Sequence, residues 1–201
     1  MSRNCLLCGV GGQGVVLASR LIAYAAMEQG DFVRTTETIG MAQRGGAVVS
    51  HVRAGEEIHS PLIPVGCADV ILAFEPGEAV RCLPYLKAGG TVITNSRSVQ
   101  PVTSSLGGGS YSGEEMTAYL REKVSRLIVI DGEEICRKAG ASKVLNVALL
   151  GAAAQSGVLG ITPEEMLEAV KRNVKKSYIA LNEHALKLGA DAACVAGGEQ
   201  S

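Results

Sequence analysis

The sequence predicts an α/β protein: a three-layer α/β/α arrangement on a mostly parallel, mixed sheet, with a Rossmann-like glycine turn after the first strand and a C-terminal helical extension. Three observations predict it. Short apolar runs bounded by turn residues alternate with stretches of helical periodicity through the first 140 residues. The apolar residues are mostly Val, Leu, Ile and Ala, with two Phe and no Trp in 201 residues, the composition of a sheet covered by helices. Gly9, Gly11, Gly12 and Gly14 separate the first strand from the first helix, and Gly9, Gly11 and Gly14 satisfy G-x-G-x-x-G. Residues 1–140 read as the sheet part and 141–201 as helices packing on it, one domain overall.

Arg3 to Val10 reads as a buried strand. Gln13 to Gln29 reads as a helix with Val16, Leu17, Leu21, Ile22 and Ala25 on its apolar face and Gly30 as its stop. Phe32 to Glu37 is a second strand, with Glu37 at its C-terminal end. The loop "TIGMAQRGG" leads into a β-rich run from Ala47 to Arg53. Asp69 to Phe74 is a parallel-type strand, Gly77 to Leu86 a helix, "AGG" a turn and Thr91 to Asn95 a strand. Ser96 to Gly113 is rich in Ser, Gly and Pro and reads as a loop. Glu114 to Val124 is helical, Leu127 to Asp131 the last strand, and a short helix runs to Ala139. Three helices follow, Lys143 to Val158, Pro163 to Arg172 and Val174 to Leu188, the middle one opened by Thr162, Pro163 and Glu165. The tail from Gly189 is expected to be loose.

Composition narrows the function classes. A formal charge of −1 leaves no nucleic-acid footprint. The N-terminus enters a strand without a long apolar run, and the most apolar later stretch, Val144 to Leu159, is short for a span and holds Asn146, Gln155 and Ser156. A soluble, cytoplasmic protein is the expectation, with no nucleic acid or membrane partner. Of six cysteines only Cys5 and Cys8 form a C-x-x-C, and on a strand residues three apart face opposite ways. They are expected to be reduced structural thiols rather than metal ligands. No residue is assigned to a metal or to catalysis. His51, His59 and His184 are expected to be structural or solvated.

The glycine turn is the strongest candidate site. Gly11, Gly12 and Gly14 allow backbone amides to approach an anion, and the following helix adds its dipole. Gln13 can donate to an anion or a facing chain, or simply cap the helix. Glu37 is placed to meet the ribose hydroxyls of a nicotinamide cofactor. Against that, the segment after Glu37 carries Gln43, Arg44, Gly45 and Gly46 straight into a strand, and no hydride-transfer machinery is evident. Arg44 offers a planar fork to a phosphate or carboxylate, or pairs with Glu37. Asn95 and Ser96 end a strand on the ligand side, where turn chemistry also explains them. Asn146, in an apolar helix, is expected to bond a loop backbone or an interface.

"GVGGQGVVLAS", "GMAQRGGAVVSHVR", "SPLIP", "ADVILAFEPGEAVR", "GGTVITN", "NVALLGA" and "NEHALKLG" together resemble the gamma-type domain of the 2-oxoacid:ferredoxin oxidoreductases over nearly the whole chain. "GMAQRGG" resembles the form in the beta subunit of the indolepyruvate-acting branch; gamma domains acting on pyruvate or 2-oxoglutarate tend to carry "GPE-x-RGG" there. The resemblance implies a subunit not active alone. It implies a large alpha subunit carrying thiamine diphosphate, magnesium and iron–sulfur clusters, with ferredoxin as electron acceptor and coenzyme A as co-substrate. No G-D-G…N-type thiamine motif and no cluster-ligand run stands in this sequence. Under this reading Gly11, Gly12, Gln13, Gly14, Gln43, Arg44, Gly45 and Gly46 serve coenzyme A or the subunit contact. A free-standing NAD enzyme and a ligand-free scaffold remain the rivals. Lys171, Arg172, Lys175 and Lys176 read as a solvated helix face, or as a dock for an acidic ferredoxin.

Overall fold

The computed structural model describes residues 2–39, 46–99 and 112–198. Six strands form one sheet: β1 (Arg3–Val10), β2 (Phe32–Ile39), β3 (Ala47–Gly55), β4 (Ala68–Ala73), β5 (Leu86–Asn95) and β6 (Arg126–Ile130). Their order is β2-β3-β1-β4-β5-β6. β1, β4, β5 and β6 are parallel neighbours, and β3 runs antiparallel between β1 and β2. The helices are α1 (Val15–Glu28), α2 (Pro76–Cys82), α3 (Gly113–Lys123), α4 (Gly132–Ala139), α5 (Leu145–Gln155), α6 (Pro163–Asn173) and α7 (Ile179–Gly198).

Strand alternation splits the core into two layers. Cys5 and Leu7 of β1 face one layer with α1, α4, α5, α6 and α7; Leu6 and Cys8 face the other with α2 and α3. Cys5 and Cys8 are thus on opposite faces, both buried and both free. Burial pushes the Cys5 thiol well above its usual value, and a hydrogen bond with Cys82 followed by burial does the same for Cys8. Both stay protonated packing groups.

Several element ends differ from the sequence reading. Pro84 stops α2 early, so Leu83–Tyr85 form a 3-10 turn and β5 starts at Leu86. The "AGG" turn lies inside β5, where the pairing register with β4 shifts between Ala68 and Val70. At the end of α6, Asn173 Nδ2 donates to the Ala169 carbonyl and Val174 and Lys175 are extended. The last helix therefore begins at Ile179, and the Ala-rich tail continues it to Gly198 instead of hanging loose.

α5 and α7 cross with their backbones in contact. A Cβ on Gly151 would lie 2.0 Å from the Leu186 carbonyl oxygen, and one on Gly189 would lie 1.9 Å from that of Ala148. Only glycine fits these two reciprocal positions. Gly151→Ala or Gly189→Ala forces the helices apart and costs about 2–3 kcal/mol by the overpacking range, roughly 5–10 °C in Tm. Thermal unfolding followed by circular dichroism measures it; an unchanged Tm refutes the contact.

His51 of β3 is a structural residue. It is buried, its Nδ1 accepts from the Ile63 N–H at 3.2 Å, and its ring meets Tyr85 edge-on at 5.8 Å. Burial lowers its pKa. The unfolded chain then takes the proton first as pH falls, so this contribution to stability is full above about pH 6.5 and is lost as pH drops through the folded pKa. Urea denaturation between pH 7 and 5 should show that loss, and His51→Gln, which keeps an acceptor but does not titrate, should remove that part of the slope.

Candidate functional site at the divergence of β1 and β4

β1 leads into α1 on one face of the sheet, while β4 leads into α2 on the other. Two adjacent parallel strands whose connections leave in opposite directions open a crevice beyond their C-terminal ends, the usual ligand position in an open α/β sheet. The glycine turn sits there. Gly12 has φ +100° with open space on its Cβ side, and Gly14 has φ +86° and starts α1. No side chain caps α1 among the described residues, so its first amides point at the crevice.

Gln13 spans the crevice floor. Its Oε1 accepts from the Val10 N–H at 2.7 Å and its Nε2 donates to the Phe74 carbonyl at 3.2 Å, joining the ends of β1 and β4. Below it the Phe74 N–H donates to the Cys8 carbonyl at 2.8 Å. Gly9 gives Gln13 its room: a Cβ there would lie 2.7 Å from Gln13 Oε1 and 2.8 Å from the Phe74 Cβ. Both ends of the Gln13 amide are therefore used within the chain.

The Gly11 N–H donates to the Gly46 carbonyl at 2.9 Å. This bond ties the glycine turn to the end of the loop between β2 and β3. Gln43, Arg44 and Gly45 lie in that loop outside the described residues. Across the crevice, Glu75 is almost fully buried; its carboxylate accepts from the Glu78 N–H at 2.9 Å and starts α2. Burial raises the pKa of Glu78, Arg81 opposes that rise, and Glu75 adds to it. The buried carboxylate pair of "FEPGE" was not singled out in the sequence; a Glu before Pro at a strand end was the available signal.

The remaining sequence candidates lie apart. Glu37 is on β2, the outer strand, paired with Ser50 of β3, which pairs in turn with Leu7 of β1. Two strand spacings, about 10 Å, separate it from β1. A nicotinamide site needs its acidic strand beside the glycine-turn strand; β3 occupies that place here. Asn95 and Ser96 are two strands away on the other side. Asn95 Oδ1 accepts from the Gly132 N–H at 3.0 Å, its Nδ2 donates to the Arg97 carbonyl at 3.4 Å, and the Ser96 N–H donates to the Ile130 carbonyl at 2.9 Å. They stitch β5 to the start of α4. Asn146, expected to bond a loop backbone or an interface, packs its amide against Gly14, where a Cβ would lie 2.9 Å from its Nδ2.

Comparison with known proteins decides the family. The family model described as pyruvate ferredoxin/flavodoxin oxidoreductase matches residues 4–192. The chain belongs to this family. It is 39% identical over 192 residues to indolepyruvate oxidoreductase subunit IorB of Thermococcus kodakarensis, covering 94% of this chain and 95% of that one. It is 40% identical over 190 residues to the IorB subunit of Archaeoglobus fulgidus, covering 94% of each. Among solved structures, the gamma subunit of a keto/oxoacid ferredoxin oxidoreductase from Geobacter sulfurreducens matches with a TM-score of 0.68 at 24% identity, over 96% of this chain and 99% of that one. The 2-oxoglutarate:ferredoxin oxidoreductase of Magnetococcus marinus, solved with 2-oxoglutarate, coenzyme A and succinyl-CoA bound, matches with a TM-score of 0.72 at 21% identity, over 96% of this chain but 31% of that one. These two share the fold. Among the described residues no helix is long and apolar enough to cross a bilayer.

The tie made by Gln13 can be measured. Gln13→Ala leaves the Val10 N–H and Phe74 carbonyl without their partner and should cost about 1–3 kcal/mol. Gln13→Glu keeps the acceptor but loses the donor, so it should not restore stability. Urea denaturation of both variants checks this; wild-type stability in either would show that the strand ends hold without the bridge.

Proposed function

We propose that this chain is the beta, gamma-type subunit of an indolepyruvate or arylpyruvate:ferredoxin oxidoreductase acting in the cytoplasm. The complex oxidatively decarboxylates a 2-oxoacid to its acyl-CoA and passes electrons to ferredoxin. The observation that carries this reading is the end-to-end likeness to IorB subunits, 39% identity with 94% of this chain and 95% of the relative covered. The bond between Gly11 and Gly46 is in keeping with it, since it joins the glycine turn to the end of the loop that carries "GMAQRGG".

The chemistry of decarboxylation and electron transfer belongs to thiamine diphosphate, magnesium and iron–sulfur clusters on a larger alpha subunit. Among the described residues no group of three or more His, Cys, Asp or Glu is arranged to hold a metal. Their donor set does not fit those groups, and no reaction step is assigned to this chain. Its contribution is binding and assembly. The uncapped amides at the start of α1 suit a phosphate of coenzyme A, and Arg44, in the loop ending at Gly46, supplies a second anion contact. The placement of Glu37 on the outer strand disfavours the nicotinamide alternative.

The purified chain alone should show no indolepyruvate oxidation with an artificial acceptor, and adding the alpha subunit should restore it. In the assembled enzyme Arg44→Ala should raise the KM for coenzyme A about 10- to 150-fold, for a lost charge-assisted contact of about 1.5–3 kcal/mol, with the 2-oxoacid KM nearly unchanged. Arg44→Lys should recover part of the loss. Turnover by the chain alone sinks the subunit reading; an unchanged coenzyme A KM removes Arg44 from the site.

A further inference from the structure

Two cysteines meet beneath the crevice. The period of two along β1 turns Cys8 away from α1 and into the layer that holds α2. Cys82 is the last residue of α2. Both belong to one buried cluster with Leu6, Ala73 and Ala79, and both are free thiols. Their side chains are hydrogen-bonded, the Cys8 S–H donating to the Cys82 sulfur. Two sulfurs that share a hydrogen bond need only a small approach to close a disulfide. Cys5, three residues before Cys8, lies in the other layer and is kept out of the pair.

The two thiols are not equivalent. The bond from Cys8 lowers the pKa of Cys82; burial and the Glu78 carboxylate oppose this, and Arg81 assists it. Cys8 is held protonated. Cys82 is therefore the nucleophile and Cys8 the thiol that resolves it. Access comes from the end of α2. The helix has seven residues and runs into a 3-10 turn containing Pro84, so its last turn opens at small cost. Position gives the pair its consequence. The Cys8 carbonyl accepts from the Phe74 N–H under Gln13, and α2 starts from Glu75 on the far wall of the crevice. A covalent link from Cys8 to Cys82 fixes that wall to β1.

We propose that Cys8 and Cys82 are a peroxide-responsive thiol pair that closes into a disulfide clasping α2 to β1. The oxidant is hydrogen peroxide. The Cys82 thiolate attacks one peroxide oxygen, the O–O bond breaks, and the leaving hydroxide takes up the proton that Cys82 gave up; Cys82 becomes a sulfenic acid. The Cys8 sulfur then attacks the Cys82 sulfur, the S–O bond breaks, and the leaving hydroxide takes the Cys8 proton. Two thiols and one peroxide give one disulfide and two waters, with two electrons passed from the sulfurs to the peroxide. A reducing dithiol returns them. This site stands whether or not the chain serves the 2-oxoacid reaction.

Peptide mapping by mass spectrometry without reductant tests it on the full chain. A background of Cys67→Ser, Cys136→Ser and Cys194→Ser removes the less buried thiols and keeps Cys5, Cys8 and Cys82; circular dichroism checks its fold. Millimolar hydrogen peroxide should join the Cys8 and Cys82 peptides, leave Cys5 as a free thiol, and be reversed by dithiothreitol. The same link should form in the unaltered chain. Amide exchange across Pro76–Cys82 should slow in the oxidised form and recover on reduction. Adding Cys8→Ala removes the resolving thiol, so peroxide should carry Cys82 on to sulfinic acid with no link; adding Cys5→Ala should leave the link intact. Three unaltered thiols after peroxide overturn the proposal. So does a link that uses Cys5, or a sulfinic acid at Cys82 while Cys8 is present. A link that leaves exchange across α2 unchanged overturns the clasp.

Discussion

The carboxamide of Gln13 is the interaction on which the upper face of this molecule depends. β1 and β4 are neighbours whose chains leave in opposite directions, so the sheet would open between them. Gln13 bonds the Val10 amide with one end and the Phe74 carbonyl with the other. Its position is set by Gly9 below and by the left-handed Gly14 beside it, both of which exclude larger residues. The glycine turn is therefore a braced structure rather than a free loop. What it offers a ligand is the amides the brace leaves unused, at Gly12 and the first turn of α1.

The position of β3 decides what such a site can hold. By lying antiparallel between β1 and β2 it moves Glu37 to the margin of the sheet and brings Gly46 against Gly11. A dinucleotide arrangement is converted into one in which two loops meet over a single strand end. The amides at the start of α1 leave room for an anion in that geometry; a ribose between β1 and a neighbouring acidic strand does not fit it. The matches to the Geobacter sulfurreducens gamma subunit and to part of the Magnetococcus marinus enzyme, at TM-scores of 0.68 and 0.72, show a shared fold.

Much of this was legible in the sequence, and for physical reasons. The alternating faces of β1, with Cys5 and Cys8 apart, follow from a period of two. The cap of α6 by Thr162 and Glu165 is formed as its spacing requires. The antiparallel direction of β3 was also within reach, because the seven residues 40–46 between β2 and β3 are too few for a crossover between parallel strands. Strand order was not legible, since no local pattern in β2 marks it as the outer strand. Nor was the environment of Asn146, which depends on how α5 meets Gly14 across more than a hundred residues of chain. The close crossing of α5 and α7 is half visible in the sequence: the small residues of α5 suit a tight helix contact, but nothing local shows that Gly189 answers Gly151.

Amide hydrogen exchange on the assembled complex, with and without coenzyme A, tests the central claim most directly. The account predicts slower exchange on coenzyme A binding at Gly12 through Val16 and in residues 40–46, with the end of β5 at Asn95 and Ser96 unchanged. Protection confined to the β5 end, or none in the glycine turn, would contradict it.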